Sequence, residues 1–316
     1  MPPEVAILSR EDVARVLTMD ACIAAVREAF ARYGRGGIAA PGILGMHAAD
    51  GGFHIKAALW NEDGRAYFVT KVNANFPQNS ARYSLPTIQG LLLLFDAEAG
   101  RPLAVMDSIE ITVLRTAAAS AVAAEHLARS DSTTVTVCGC GVQARAQLEA
   151  LSKVLPIRRA FAFDADRARA RWFAENAELG LEIIPVSNLA DGTLQSDVIV
   201  TCTTSHKAFL GPGEVRPGTF IAAVGADNPE KQELEPALLA KSKVVADVIE
   251  QCLSIGDLHH AVSAGAMTRD AVYAELGELA AGKKQGRTSN DEITVFDSTG
   301  TAFQDAAAAV LVYRSL

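Results

Sequence analysis

The chain has 316 residues, 49% of them hydrophobic and 21% charged, which suits two packed domains and argues against a disordered or fibrous polymer. A formal net charge of -8 disfavours a nucleic-acid binder, and no apolar run reaches the roughly 20 residues that a membrane helix needs. The N-terminal MPPEVAILSRED lacks the basic region and apolar core of a secretory signal, and five scattered cysteines fit a reducing cytoplasm.

Ser9 is placed to cap a short helix over residues 11–17. A second helix runs from Met19 towards Tyr33, with Ile23, Val26 and Phe30 on one face, and GRGG at 34–37 ends it. Residues 39–52, rich in Gly, Pro and Ala, read as loop. Residues 53–60 and 65–72 flank the turn NEDG and predict a hairpin. His54 and Lys56 then share one face, because side chains two apart in a strand point the same way. Lys71 closes the second strand, ahead of the Asn- and Pro-rich NANFPQN at 73–79. A further hairpin is expected from 88–95 and 102–106, so this region is mostly antiparallel. Residues 109–127 read as one long helix in which alanines surround Arg115. The structural alternative to a ligand-binding role for Arg115 is an ion pair, with Asp107 as candidate partner.

A β-branched run at 134–138 leads into Gly139, Gly141 and Ala144 and then into a helical pattern. Strand, glycine turn and helix in that order are the context in which G-x-G-x-x-G/A signals a dinucleotide site. Gly139 allows the tight turn, Gly141 admits a pyrophosphate to the backbone, and Ala144 keeps the helix close to its strand. Asp164 ends the next apolar run, about 20 residues past Ala144, where an acid that binds ribose hydroxyls is expected. Its charge favours NAD, while nearby Arg167 and Arg169 keep NADP as the alternative. Cys138 and Cys140 read as small space-filling residues, and no metal site is expected.

Strands and helices alternate from 134 to 205, with further strands at 220–224 and 243–248, which predicts a Rossmann-type doubly wound parallel sheet. Asp227 follows strand 220–224 at its carboxyl end, where ligands bind in open α/β sheets; capping the segment NPEKQEL is its bland alternative. Residues 251–261 and the expected helix at 272–281 resist assignment to one domain, and His259 and His260 read as surface or domain-contact residues. KKQGRTSN at 283–290 is linker-like. ITVFDSTG then gives a strand and glycine turn, and 301–313 a helix with alanines on several faces.

With these pieces placed, the chain resembles the ornithine cyclodeaminase/μ-crystallin family over nearly its full length. The likeness is carried by KVNANFPQN, LPTIQG, GRPLAVMDSIEITVLRTAAASA, CGCGVQA, VTCTTS, VGADNPEKQEL and FDSTGTAFQDAAAA. The pattern of Asp107, Thr112, Arg115, Thr116, Ala117 and Ala118 is particularly specific. The resemblance implies an α/β protein in which a discontinuous α+β substrate and dimerisation domain (1–114 with 296–316) joins a Rossmann domain (115–295). It further implies a homodimer and a site between the domains. Carried across by motif, Lys71 and Arg115 hold the substrate carboxylate, while Asp227, with Lys71, forms the catalytic centre beside the amine. Thr87, Arg115, Gly139, Gly141, Val142, Gln143, Asp164, Thr203, Val224, Gly225 and Ser298 line the cofactor.

The chemistry has its own logic. Taking hydride from the α-carbon of an amino acid needs a nicotinamide above that carbon, a base for the ammonium proton and a cation on the carboxylate. This chain also departs from relatives that cyclise ornithine: no arginine stands between Gly37 and Phe53, and residues 53–59 carry no acid for a distal amine. Lys56 is the candidate replacement cation. The expectation is therefore an NAD-dependent enzyme transferring hydride at the C–N bond of a small amino or imino acid, as an amino-acid dehydrogenase or a ketimine or cyclic-imine reductase. The alternatives are an ornithine or lysine cyclodeaminase that releases ammonia, and a non-catalytic μ-crystallin-like ligand-binding protein.

Overall fold

A computed structural model describes residues 4–39 and 42–316. Ala40 and Pro41, within the stretch read as loop, and the first three residues of the N-terminal reading lie outside them. The chain divides into two compact units, one reaching to Arg115 and taking in Thr301–Leu316, the other Thr116–Gly300.

The first unit contains β1 (Ala6–Leu8), α1 (Arg10–Val16), α2 (Met19–Gly34), β2 (Gly42–Ala48), β3 (Gly51–Glu62), β4 (Arg65–Asn75), α3 (Asn79–Tyr83), β5 (Ile88–Asp96) and β6 (Pro102–Asp107). α4 (Ile109–Leu127) begins in it and runs across the boundary. Ser9 caps α1 with a full capping box. The strands form a sheet in the order β1-β6-β5-β4-β3-β2, antiparallel except for β1 beside β6.

The expected loop at 39–52 is corrected here, because residues 42–48 pair along their length with β3. Glycines at 42 and 45 hid the strand, since they supply no side chain to the alternation that marks one. Register fixes which side chains share a face. Lys71 stands opposite Lys56 on one side and Leu92 on the other, and Val69 opposite Ala58 and Leu94. That face is covered by the C-terminal helix Ala302–Arg314, against which α2 packs: Phe303 meets Phe30 edge-on at 5.3 Å and stacks on Tyr33 at 5.0 Å. The other face exposes Ile7, Leu44, Met46, Phe53, Leu59, Phe68 and Leu91.

The second unit contains β7 (Thr134–Cys138), α5 (Val142–Val154), β8 (Arg159–Phe163), α6 (Arg167–Asn176), β9 (Glu182–Pro185), α7 (Leu189–Thr193), β10 (Val198–Thr201), β11 (His206–Leu210), β12 (Phe220–Ala223) and β13 (Gln232–Leu234). It continues through α8 (Pro236–Leu239), β14 (Lys243–Ala246), α9 (Ile249–Ile255), α10 (Asp257–Ser263), β15 (Ala274–Glu275), α11 (Leu276–Ala280) and β16 (Thr294–Asp297); the C-terminal helix of the first unit is α12. A parallel sheet runs in the order β15-β14-β16-β12-β10-β7-β8-β9, and its central strands are buried on both faces, as parallel sheets require.

Three expectations fail in this unit. The strand expected to join the first domain, β16, lies between β12 and β14 of the parallel sheet, so the first unit takes only α12 from the C-terminal stretch. A four-residue strand buried on both faces finds its hydrogen bonds between two parallel neighbours. The linker-like 283–290 is tied down, with Arg287 donating to the carbonyls of Leu127 and Glu292 and to Thr294 Oγ1. The helix expected at 272–281 breaks into an edge strand and a short helix, and residues 251–261 fall in α9 and α10 of this unit.

Candidate active site

In the first unit, β4, α4 and α12 bring three charged side chains to one point. Lys71 is 3% exposed and Asp305 1% exposed. Lys71 Nζ donates to Asp305 Oδ1 at 2.7 Å and to Thr112 Oγ1 at 3.3 Å. Arg115 Nε donates to the same Asp305 oxygen at 2.9 Å, and its Nη1 to Gln304 Oε1 at 3.4 Å. The partner of Arg115 is thus Asp305 rather than Asp107, whose Oδ1 accepts from the amide of Ile109. Burial pushes the Lys71 ammonium down to about 7, against the opposing pull of Asp305. Lys71 and Arg115 hold the Asp305 carboxyl below its ordinary range although burial pushes it up.

Asp305 was missed by the sequence reading. The signal for it is a carboxylate inside FQDAAAA, because a lone acid in a helix with apolar residues on every face needs a buried partner.

The second unit assembles the nucleotide elements. Gly139 turns with φ +95°, and a Cβ there would stand 2.9 Å from the Cys202 carbonyl oxygen and from Thr203 Cγ2. Nothing lies within 4 Å of the Cβ position at Gly141, the residue that opens α5 without a side-chain cap, so that helix end keeps amides for an anion. Val142 is exposed, Gln143 half-buried, and Ala144 buried against β7. Asp164 accepts from the Cys140 amide through one oxygen and the Asp166 amide through the other, both at 2.9 Å, which fixes the carboxylate beside the glycine turn. Ser298 follows β16, and its buried Oγ has no hydrogen-bond partner. An open backbone cradle at a helix N-terminus, a fixed carboxylate at the next strand's end and an orphaned hydroxyl fit a dinucleotide. Thr87 belongs to the first unit, where its carbonyl accepts from the Phe76 amide.

Thr203 and Gly225, which follow β10 and β12, are joined by a residue that sequence reasoning overlooked. Glu233 Oε1 accepts from Thr203 N at 2.6 Å and Oγ1 at 2.7 Å, and its Oε2 accepts from Gly225 N at 2.9 Å. The Gly225 amide is therefore engaged by protein, while half-buried Val224 donates its N–H to the Thr201 carbonyl. Burial raises Glu233, and raises Asp257 well above its ordinary value. Asp297 is pushed by burial to about 7.

Asp227 stands one residue before Asn228, whose Oδ1 accepts from Glu230 N and Lys231 N. The Asp227 side chain, 35% exposed, pairs with buried Lys231 at 2.7 Å. His260 Nε2 meets the Lys231 carbonyl and His259 Nδ1 the Leu253 carbonyl, so both rings are held by backbone.

The family model for the ornithine cyclodeaminase/mu-crystallin family matches residues 4–316. The chain is 39% identical over 316 residues to an alanine dehydrogenase of Archaeoglobus fulgidus, covering 99% of this chain and 95% of that one. Among solved structures, an archaeal alanine dehydrogenase dimer with bound NAD superposes with a TM-score of 0.92 at 39% identity, covering 98% of this chain and 95% of that one. The Δ1-pyrroline-2-carboxylate reductase of Thermococcus litoralis, in complex with NADH and L-proline, superposes with a TM-score of 0.93 at 34% identity, covering 98% and 97%. The chain belongs to the ornithine cyclodeaminase/mu-crystallin family.

Proposed function

We propose that Lys71 and Arg115, with Lys56 beside them, grip the carboxylate of a small amino or imino acid, and that Asp227 manages the proton on its nitrogen. The chain is an NAD-dependent oxidoreductase of the ornithine cyclodeaminase/mu-crystallin type, acting on the C–N bond next to that carboxylate. The observation that carries the reading is the pair of buried cations sharing a single carboxylate oxygen, because two cations against one carboxylate leave an excess positive charge that an anionic ligand would balance.

The guanidinium suits a planar carboxylate, and Lys71 adds a point charge. When bound, NAD supplies hydride chemistry at the α-carbon. In oxidation Asp227 takes a proton from the ammonium group; in reduction it returns one to the imine nitrogen. Lys71, pushed to about 7, titrates in the range where proton transfer is efficient. Gly141, Val142 and Gln143 present the helix end to the pyrophosphate, Asp164 accepts from the ribose, and Thr87, Arg115, Thr203, Val224, Gly225 and Ser298 complete the cofactor's surroundings. Residues 53–59 offer no acid to the distal ammonium of ornithine or lysine, which favours dehydrogenase or imine-reductase turnover over cyclodeamination.

The apolar outer face of the first unit's sheet is the reading's homodimer surface, since a patch of this kind marks an interaction site. No helix among the described residues is long and apolar enough to cross a membrane. Five unpaired thiols suit a cytoplasmic setting.

The test is incubation with NAD and an amino-acid panel, and with NADH and 2-oxo acids plus ammonia or cyclic imines, following reduced-cofactor absorbance. Lys71→Met should abolish the signal. Ammonia release from ornithine or lysine with no net NADH would move the assignment to cyclodeamination. No turnover in any arm would defeat the reading.

A further inference from the structure

Resting on that reading, we propose that Asp305 is the positioning residue of the carboxylate site: one buried oxygen favours the ammonium form of Lys71 and anchors Arg115 at Nε, so that both cations meet a substrate charged and oriented. The geometry is specific. Asp305 Oδ1 takes both donors, at 2.7 and 2.9 Å, while its Oδ2 is buried with no hydrogen-bond partner. Those contacts use the Nε and Nη1 side of the guanidinium, with Gln304 on Nη1, and leave Nη2 outside them. The anchor is rigid, because α12 is buried continuously from Ala302 to Val310.

The charges explain why an anchor is needed. The elements packed round Lys71 present Asp305 from α12, Arg115 and Thr112 from α4, Lys56 from β3 and apolar Leu92 from β5. The Cys22 thiol of α2, itself raised to about 12 by burial, lies within electrostatic reach of Arg115 and Asp305. Burial, Arg115 and Lys56 all drive Lys71 towards the neutral amine, and Asp305 opposes them. A neutral amine would attract a carboxylate far less. Buried ion pairs are weak evidence for stability on their own. A carboxylate that satisfies two cations through one oxygen and leaves the other unused is better explained by what it does to those cations.

The experiment compares the full-length protein with Asp305→Asn and Asp305→Glu. In the wild type, kcat/KM for the amino or imino acid should fall as free Lys71 loses its proton, with a midpoint near 7. In D305N, which keeps an oxygen for Arg115 Nε and removes the charge, that midpoint should drop by about one pH unit or more. KM for the substrate at neutral pH should rise by about tenfold while KM for NAD stays within about twofold. D305E, which retains the charge, should hold the midpoint within about half a unit.

Side-chain NMR of lysine-labelled protein, with Lys71→Met to identify the signal, follows the same titration without turnover. Folded D305N with both midpoints unmoved would overturn the proposal, as would a D305E midpoint that falls with loss of the Lys71 ammonium signal. Should D305N not fold, Lys56→Met decides: removing that like charge should raise the Lys71 midpoint, and an unmoved one overturns the charge balance described above. A wild type that turns over no amino or imino acid, while Lys71 still titrates lower in D305N, would defeat the functional reading and support the electrostatic role of Asp305.

Discussion

Replacing Glu233 by glutamine asks the most of the second unit. The carboxylate accepts three hydrogen bonds, two from half-buried Thr203 and one from the buried Gly225 amide. A glutamine offers one oxygen. If that oxygen stays with Thr203, its NH2 group faces the Gly225 N–H, and a buried donor is stranded at a cost of about 1–3 kcal/mol. The two surviving bonds lose their charge assistance, roughly 1 kcal/mol each. Against this, the neutral side chain escapes the burial penalty that already raises Glu233, which offsets about 1–2 kcal/mol. The net expectation is destabilisation by about 3 kcal/mol, with NADH binding weakened by about tenfold as the segments after β10 and β12 lose their tie. Urea unfolding and NADH fluorescence titration measure the two effects, with exposed Glu230→Gln as control. If E233Q matched the control in urea midpoint and NADH affinity, Glu233 would not be what holds Thr203 and Gly225 in place.

Three further outcomes are expected. Asp164→Ser should weaken NAD more than NADP, measured as the ratio of their dissociation constants; an unchanged ratio refutes the ribose assignment. Asp297 carries a folded-state value of about 7 against an ordinary 3.8, so the folded chain holds a proton that the unfolded chain has lost, and stability falls as pH rises from about 4 to 7. Asp297→Asn, which keeps an oxygen for the Leu258 amide, should flatten that decline by up to ~2.6 kcal/mol between pH 5 and pH 8, read from urea midpoints at those two values. Leu59→Lys with Phe68→Lys, on the exposed apolar face, should convert a dimer to monomer in sedimentation with folded structure kept, and a monomeric wild type would refute the interface.

Periodicity and turn chemistry made the parallel sheet, its glycine turn and the long helix 109–127 readable, because each is fixed by local pattern. What escaped was fixed by distant partners. β2 carries glycines where alternation would show, and only pairing with β3 makes it a strand. The strand Thr294–Asp297 read correctly as a strand and went to the wrong domain, since nothing in four buried residues says which sheet will accept them. Arg287 turned a linker-like run into a clasp by finding carbonyls at Leu127 and Glu292.

The candidate site shows the same division between what motifs can carry and what burial decides. Lys71, Arg115, Asp164 and Asp227 could be singled out because motifs carry them, although Lys71, expected to close its strand, lies within β4, which runs on to Asn75. Asp305, Glu233 and Lys231 were not, although each contacts one or more of the residues singled out in advance. All three supply charge or hydrogen bonds to a group far from them in local pattern, and a sequence reports such a need only as a charge in a run that should be apolar or capping. FQDAAAA and NPEKQEL each contain that contradiction. An acid or a lysine that local structure has no use for is answering a demand from elsewhere in the fold, and here the demand comes from residues that the proposed chemistry employs.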